Sequence, residues 1–252
     1  MIKKTSYIAK PVDANGFVDY TPEENQIWHE LYTRQLPALK GYACDEFIQG
    51  LHALNLPKDH IPQCSTVSTV LKEATGWSLV PVPALIPFKQ FFHLLANKQF
   101  PAATFIRLRE QLDYLEEPDI FHEIFGHAPM LINPIIANFT HAYGKLGENA
   151  SPKEQALLAK LYWFTIEFGL MNTHKGLRAY GGGILSSYSE TKYCIDSTEP
   201  LRHPFDVMAV LRTPYRINHI QPIYFIIDHF DIFDELINMN LMRLIHQVLG
   251  EN

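Results

Sequence analysis

His122 and His127 stand five residues apart in the run Asp119-Ile120-Phe121-His122-Glu123-Ile124-Phe125-Gly126-His127-Ala128-Pro129. Two imidazoles this close either hold a metal together or are each hydrogen-bonded near a helix end. At about 100° per residue in an α-helix they would point about 140° apart, so their convergence calls for a helix that is ending. Gly126, a poor helix-interior residue, and Pro129, which disfavours the helical region for Ala128, predict such an ending. The zinc-protease pattern H-E-x-x-H, with Glu123 as general base, needs histidines four apart, and its last position here is Gly126.

Glu167 lies in the segment from Leu161 to Leu170, which is apolar nearly all round and therefore predicted to be buried. A charged carboxylate in such a place is costly unless it is compensated, either by a metal or by an arginine such as Arg107 or Arg178. Two neutral imidazoles and one carboxylate on one face of a metal leave positions open, which suits ferrous iron and oxygen chemistry. A closed structural zinc site would draw on cysteine, and Cys44, Cys64 and Cys194 all lie far along the chain from these ligands.

The composition narrows the setting. The chain has 252 residues, 47% of them hydrophobic, and a net charge of -6 from 21 Lys and Arg against 27 Asp and Glu. That is enough apolar material for one sizeable core, so a single domain is expected. No Lys/Arg run could follow a phosphate backbone, and nucleic acid is not an expected partner. The three cysteines make neither a disulfide framework nor a zinc ribbon. The basic start has no apolar stretch behind it and no apolar run is long enough to cross a bilayer, so a cytoplasmic protein with no membrane partner is expected.

The patterning that must position these residues predicts a mainly α protein, α+β with a few short strands. Thr21-Pro22-Glu23-Glu24 reads as a capped helix start, followed by Ile27, Trp28, Leu31 and Leu36 on roughly one face. Further helices are expected around Phe47 to Leu54, from Ser65 to Ala74 before Gly76, and from Phe88 to Asn97. More helical patterns run from Ile120 to His127, Pro134 to Leu146, Pro152 to Leu170 and Phe233 to Leu249. The proline-rich stretch from Trp77 to Pro87 reads as extended chain, and Thr104 to Leu108 and Ile223 to Ile227 as strands. Asn172 to Pro204 reads as a long functional loop.

Four blocks, Glu117 to His127, Leu161 to Leu170, Ala179 to Ser187 and Gln221-Pro222-Ile223-Tyr224, resemble the pterin-dependent aromatic amino-acid hydroxylases, in particular their short bacterial members acting on phenylalanine. The resemblance covers the chain from the Thr21 helix onward. It implies one catalytic domain of that type over residues 1–252, with 1–20 as an N-terminal extension. It also implies neither a regulatory domain nor a long C-terminal assembly helix, and a monomer or weak homodimer. The implied cofactors are Fe(II), on His122, His127 and Glu167, and tetrahydrobiopterin or a related tetrahydropterin. The implied reaction turns L-phenylalanine and O2 into L-tyrosine, leaving the pterin as its 4a-hydroxy form.

By the same resemblance Arg107 binds the substrate carboxylate through its bidentate fork, and Asp119 orients that arginine. Ser186 and Glu190 support the iron and substrate pocket, and Trp163 lies beside the substrate ring. Leu85, Ile86, Phe91, Glu123 and Tyr162 fall to the pterin, although Phe88, Phe91, Phe92 and Leu95 also have the spacing of ordinary core. Trp163 and the apolar Ile217 favour phenylalanine over tryptophan and tyrosine. Two rivals from other classes are a zinc hydrolase and a non-catalytic sensor of an amino acid or pterin.

Overall fold

The Thr21 side chain accepts a hydrogen bond from the Glu24 N–H, and the Glu24 carboxylate accepts one from the Thr21 N–H at 2.6 Å. With Pro22 at the first helical position, this starts α1, Pro22–Ala38, whose Ile27, Trp28 and Leu31 face the core. The computed structural model describes residues 7–113, 115, 117–217 and 219–250. The helices that follow are α2 (Asp45–Leu54), α3 (Cys64–Thr75), α4 (Phe88–Ala96), α5 (Ala128–Leu131), α6 (Pro134–Glu148) and α7 (Pro152–Tyr162). After them come α8 (Gly182–Leu185), α9 (Tyr188–Asp196), α10 (Val207–Arg212), α11 (Asp231–Asn238) and α12 (Leu241–Gly250). Gly76 closes α3 at φ 80°, a left-handed conformation that glycine adopts without cost.

The strands are short, as the mainly α expectation required. β1 (Ser78–Val82) and β2 (Gln99–Ala103) pair in parallel. β3 (Leu170–Thr173), β4 (Gly176–Ala179), β5 (Leu201–Pro204) and β6 (Ile223–Ile227) form a second sheet in the order β4-β3-β6-β5, antiparallel only between β3 and β4. One large cluster of buried side chains extends from Ile27 on α1 to Val248 on α12.

Four expectations are corrected. The strand expected at Thr104–Leu108 is instead β2, ending at Ala103. Its partner β1 stops at Val82, and after the Thr104 N–H bonds to the Val82 carbonyl no ladder remains to join. The single C-terminal helix is two helices, because Asn240 turns back to accept from the Arg243 N–H at 3.0 Å and so starts α12 afresh. Pro152 to Leu170 does not run as one helix, since α7 passes into a wider turn at Trp163 and Leu170 opens β3. The loop expected over 172–204 contains β4, α8 and β5, each too short to show a period, and α9, which buries Glu190, Thr191 and Cys194 rather than an apolar stripe.

Gly144 sets the crossing of α6 with α4. A Cβ there would lie 2.4 Å from the Ala96 nitrogen and 2.5 Å from the Leu95 carbonyl carbon, both backbone atoms that cannot swing aside. Since α4 also carries Phe91, this contact fixes one wall of the site described next. Gly144→Ala is expected to destabilise the fold by about 1–3 kcal/mol through overpacking, read as a lowered midpoint of thermal unfolding. An unchanged midpoint would show that the helices can separate at no cost.

Candidate metal centre

Residues His122–His127 form a π turn, and so do Trp163–Glu167. In this geometry an N–H bonds to the carbonyl five residues back, as the Phe168 N–H does to the Trp163 carbonyl at 2.9 Å. Residues five apart then stack on one face. The Nε2 atoms of His122 and His127 accordingly lie 3.0 Å apart, with ring centroids separated by 4.7 Å. The expected cause of convergence is therefore wrong. The helix does not end after Gly126: Ala128 keeps helical angles (φ -58°, ψ -35°), and α5 continues directly with Pro129 in its first turn, where a missing N–H costs little. Gly126 serves packing instead, since a Cβ there would lie 2.7 Å from the Gly182 carbonyl oxygen of α8.

Glu167 Oε2 lies 3.2 Å from His127 Nε2 and 3.6 Å from His122 Nε2. Donor atoms each about 2.1 Å from one cation sit about 3.0–3.6 Å apart for angles between about 90° and 120°, so this triangle fits a single metal ion. The alternative arginine partners of Glu167 are engaged elsewhere, Arg107 with Asp119 and Arg178 with the Leu177 carbonyl at 2.7 Å. His122, Glu123 and His127 also form a group of donor atoms that could hold a metal, nitrogen and carboxylate without sulfur, and Cys44, Cys64 and Cys194 are buried free thiols.

Ser186 sets the orientation of the first histidine. Its hydroxyl donates to the Gly182 carbonyl at 2.8 Å and, having one proton, can only accept from His122 Nδ1 at 3.0 Å. His122 thus carries its proton on Nδ1 and turns the Nε2 lone pair toward His127 and Glu167. Burial pushes the His122 pKa down to about 4, against the pull of Glu167 and with that of His127, which leaves the ring neutral and ready to bind a metal. Ser186→Ala is expected to weaken metal affinity by about 10–100-fold while leaving the fold intact, measured by competition with a chelator.

Two acids share this site, and their surroundings separate them. Glu123 also brings its carboxylate within 4.8 Å of the histidine donor atoms. Burial, then the nearby charges of Glu167 and Asp119, push its carboxyl well above the usual range. For Glu167 burial acts in the same sense, but His127 and His122 outweigh it and hold the carboxyl below its usual value. Glu167 is the anion of the pair and Glu123 the neutral acid.

Arg107 is 5% exposed and Asp119 fully buried, so the arginine is no surface side chain. Asp119 receives Arg107 Nε at 2.8 Å, Arg107 Nη2 at 3.0 Å, the Arg107 N–H at 2.9 Å and the His122 N–H at 3.0 Å. One carboxylate therefore ties the arginine to the first residue of the metal-facing turn. Trp163 is half-buried between Phe168 and Tyr215, its indole N–H donating to Gln221 Oε1 at 3.0 Å. Glu190 sits behind this wall, accepting from the Gln221 N–H and the Tyr224 hydroxyl. Gln221 was missed as a site residue, because a buried residue in an irregular segment leaves no periodic signal. Ile217 is 56% exposed, which leaves the half-buried Trp163 as the less exposed member of that pair.

Of the residues expected at the pterin, Phe91 and Glu123 lie near Tyr162. Its ring lies 5.4 Å from that of Phe91, edge to face, and 6.5 Å from that of His127. Its buried hydroxyl has no hydrogen-bond partner. Leu85 is exposed and Ile86 half-buried just before α4. An aromatic ring, an orphaned hydroxyl and a neutral acid fit a flat heterocycle that both stacks and hydrogen-bonds.

The family described as biopterin-dependent aromatic amino acid hydroxylases matches residues 2–247. The chain belongs to that family. Phenylalanine-4-hydroxylase of Pseudomonas aeruginosa is 52% identical to this hydroxylase over 248 residues, covering 98% of this chain and 94% of that one. The apo structure of the cold-active phenylalanine hydroxylase from Colwellia psychrerythraea 34H superposes with a TM-score of 0.94 at 54% identity, covering 98% of this chain and 95% of that one. Chromobacterium violaceum phenylalanine hydroxylase, solved with bound oxidised Fe(III), gives a TM-score of 0.89 at 45% identity, covering 95% of this chain and 90% of that one. The hydroxylase is thus a mono-oxygenase that uses a tetrahydropterin and iron to act on a small aromatic substrate with O2.

Proposed function

We propose that this hydroxylase converts L-phenylalanine to L-tyrosine, with iron held by His122, His127 and Glu167. The convergence of two Nε2 atoms and one carboxylate oxygen on a common point carries the assignment of the ligands. The phenylalanine-4-hydroxylases that match nearly the whole chain support the substrate. When bound, iron and reduced pterin together supply the oxygen activation and the two electrons that ring hydroxylation needs.

The protein's own residues bind, orient and hold protons. Glu167 supplies negative charge beside the two imidazoles, and Ser186 keeps that of His122 in the tautomer a metal requires. Arg107, anchored by Asp119, receives the carboxylate of phenylalanine and thereby aims its ring. Trp163 bounds that ring, with Glu190 behind it. Phe91, Leu85, Ile86 and Tyr162 receive the pterin, and Glu123 keeps a proton on its carboxyl to offer the heterocycle. Buried apolar groups around them exclude water.

No described helix is long and apolar enough to cross a membrane. The net charge of -6 does not favour a nucleic-acid partner. The test is to load the protein with ferrous iron, add phenylalanine, tetrahydropterin and O2, and measure tyrosine alongside oxygen uptake, with zinc-loaded protein as control. Tyrosine formed only with iron and pterin is the expected result. Hydroxylation of tryptophan or tyrosine supplied in place of phenylalanine, with none of phenylalanine itself, would replace the substrate, and tight ligand binding with no oxygen uptake would favour a sensor.

A further inference from the structure

We propose that Gln221 is a positioning residue for the aromatic wall of the substrate site, acting through the indole of Trp163; this rests on the reading that Trp163 bounds the phenylalanine ring. Gln221 is 2% exposed, and its side-chain amide is engaged on both sides. Nε2 donates to the carbonyls of Arg216 at 3.0 Å and His219 at 2.9 Å, and Oε1 accepts the Trp163 indole N–H at 3.0 Å. Carbonyls only accept and an indole N–H only donates, so the amide has a single allowed orientation. With both donors committed to the backbone, the amide offers Trp163 an oxygen at one fixed point.

The backbone of Gln221 is held as firmly. Its N–H donates to Glu190 Oε1 at 3.1 Å, and the same oxygen takes the Tyr224 hydroxyl. Glu190 belongs to α9, which begins immediately after the Ser186-Ser187 pair, so the residue that fixes the indole and the one that fixes His122 hang from one short segment. One of the two carbonyls that Gln221 gathers is that of Arg216, which directly follows Tyr215, whose ring packs 4.9 Å from Trp163 while Phe168 lies 4.6 Å away. The amide therefore holds the edge of the indole. Trp163 itself is four residues before Glu167 on the same π turn.

Packing alone would also place an indole between two rings, and a double-mutant cycle separates the two accounts. Phenylalanine affinity is measured by calorimetry on anaerobic ferrous protein without turnover, for wild type, Gln221→Leu, Trp163→Phe and the double variant, with pterin affinity and thermal midpoint alongside. Gln221→Leu is expected to weaken phenylalanine binding about tenfold, as for a buried donor left unpaired. In the Trp163→Phe background, where the indole N–H is gone, the same change is expected to cost less than about twofold. Pterin affinity should stay within about twofold throughout. Gln221→Glu, which keeps an acceptor for the indole but loses both donors, is expected to fall between wild type and Gln221→Leu, and it serves as the test variant if Gln221→Leu does not fold. Multiplicative effects in the cycle, or phenylalanine affinity unchanged by every Gln221 substitution, would overturn the proposal. Wild-type protein that fails to bind phenylalanine would overturn the substrate reading and this proposal with it, whereas wild-type binding with a multiplicative cycle overturns this proposal alone.

Discussion

Glu167→Gln is expected to lose tyrosine formation by at least about a thousandfold, together with stoichiometric iron. Losing a group that merely orients a metal ligand typically costs about 10–100-fold, and a direct ligand that also neutralises the metal's charge must cost more. The variant keeps the size of the side chain and removes only the negative oxygen that lies 3.2 Å and 3.6 Å from the two histidine nitrogens. Stability should move differently from activity. Without metal, the two imidazoles already hold the Glu167 carboxyl below its usual value, so the metal-free variant is expected to unfold slightly earlier than metal-free wild type. With iron added, wild type gains thermal stability by mass action and the variant does not. Iron content per chain and paired melting curves read both effects, and normal iron with full activity in Glu167→Gln would remove this residue from the metal site.

Arg107→Met should produce the largest loss of stability. Asp119 is fully buried and takes two hydrogen bonds from the guanidinium, which itself lies 5.8 Å from the Phe121 ring. Removing one partner of such a pair leaves a buried charge uncompensated, at about 3–5 kcal/mol. For a chain of this size that corresponds to a thermal midpoint lower by about 10 °C or more. Arg107→Met with Asp119→Leu should recover part of that loss, because no charge is then stranded. It should not recover phenylalanine binding, which needs the guanidinium, and phenethylamine, lacking the carboxylate, should bind wild type and the double variant alike. A double variant that binds phenylalanine normally would show that Arg107 is structural only.

The same pair gives the protein an acid limit with a definite sign. Burial alone would raise the Asp119 carboxyl, but the Arg107 charge, its hydrogen bonds and the His122 and Arg107 N–H groups overcome it and hold the carboxyl below its ordinary value. A folded-state pKa below the unfolded one, about 3.9 for Asp, means the stabilisation is complete above that value and is lost as pH falls through the folded one. Acid unfolding of Arg107→Met is accordingly expected to begin at a higher pH than that of wild type.

Local features were the most legible. The Thr21–Glu24 capping box and the Gly76 helix stop involve atoms within a few residues of one another, and both stand as read. The mainly α class followed from apolar spacing, which long helices display clearly. The strand after Lys98 was displaced toward the N-terminus because strand identity depends on a partner, and β1 runs out at Val82. The segment over 172–204 hid β4, α8 and β5 because each is too short for a period, and α9 because its buried face is mostly polar, yet α8 packs directly on the metal-facing turn.

From the sequence alone came the donors and their chemistry: two histidines at an interval that fails the zinc-protease pattern, and one carboxylate in a segment too apolar to leave it unpaired. Residue type decides that much, because hardness of donor, charge and burial cost are properties of the side chains themselves. Only the tertiary structure decided how they meet. The α-helical period would turn His122 and His127 apart, and the π turn that realigns them is an i→i+5 pattern with no marker in composition, formed where Gly126 lets α8 approach. The tautomer of His122, the anchoring of Arg107 and the clamp on Trp163 likewise belong to the tertiary structure. Each depends on a hydrogen bond between residues 12 to 64 positions apart, a distance over which sequence pattern carries no geometric information.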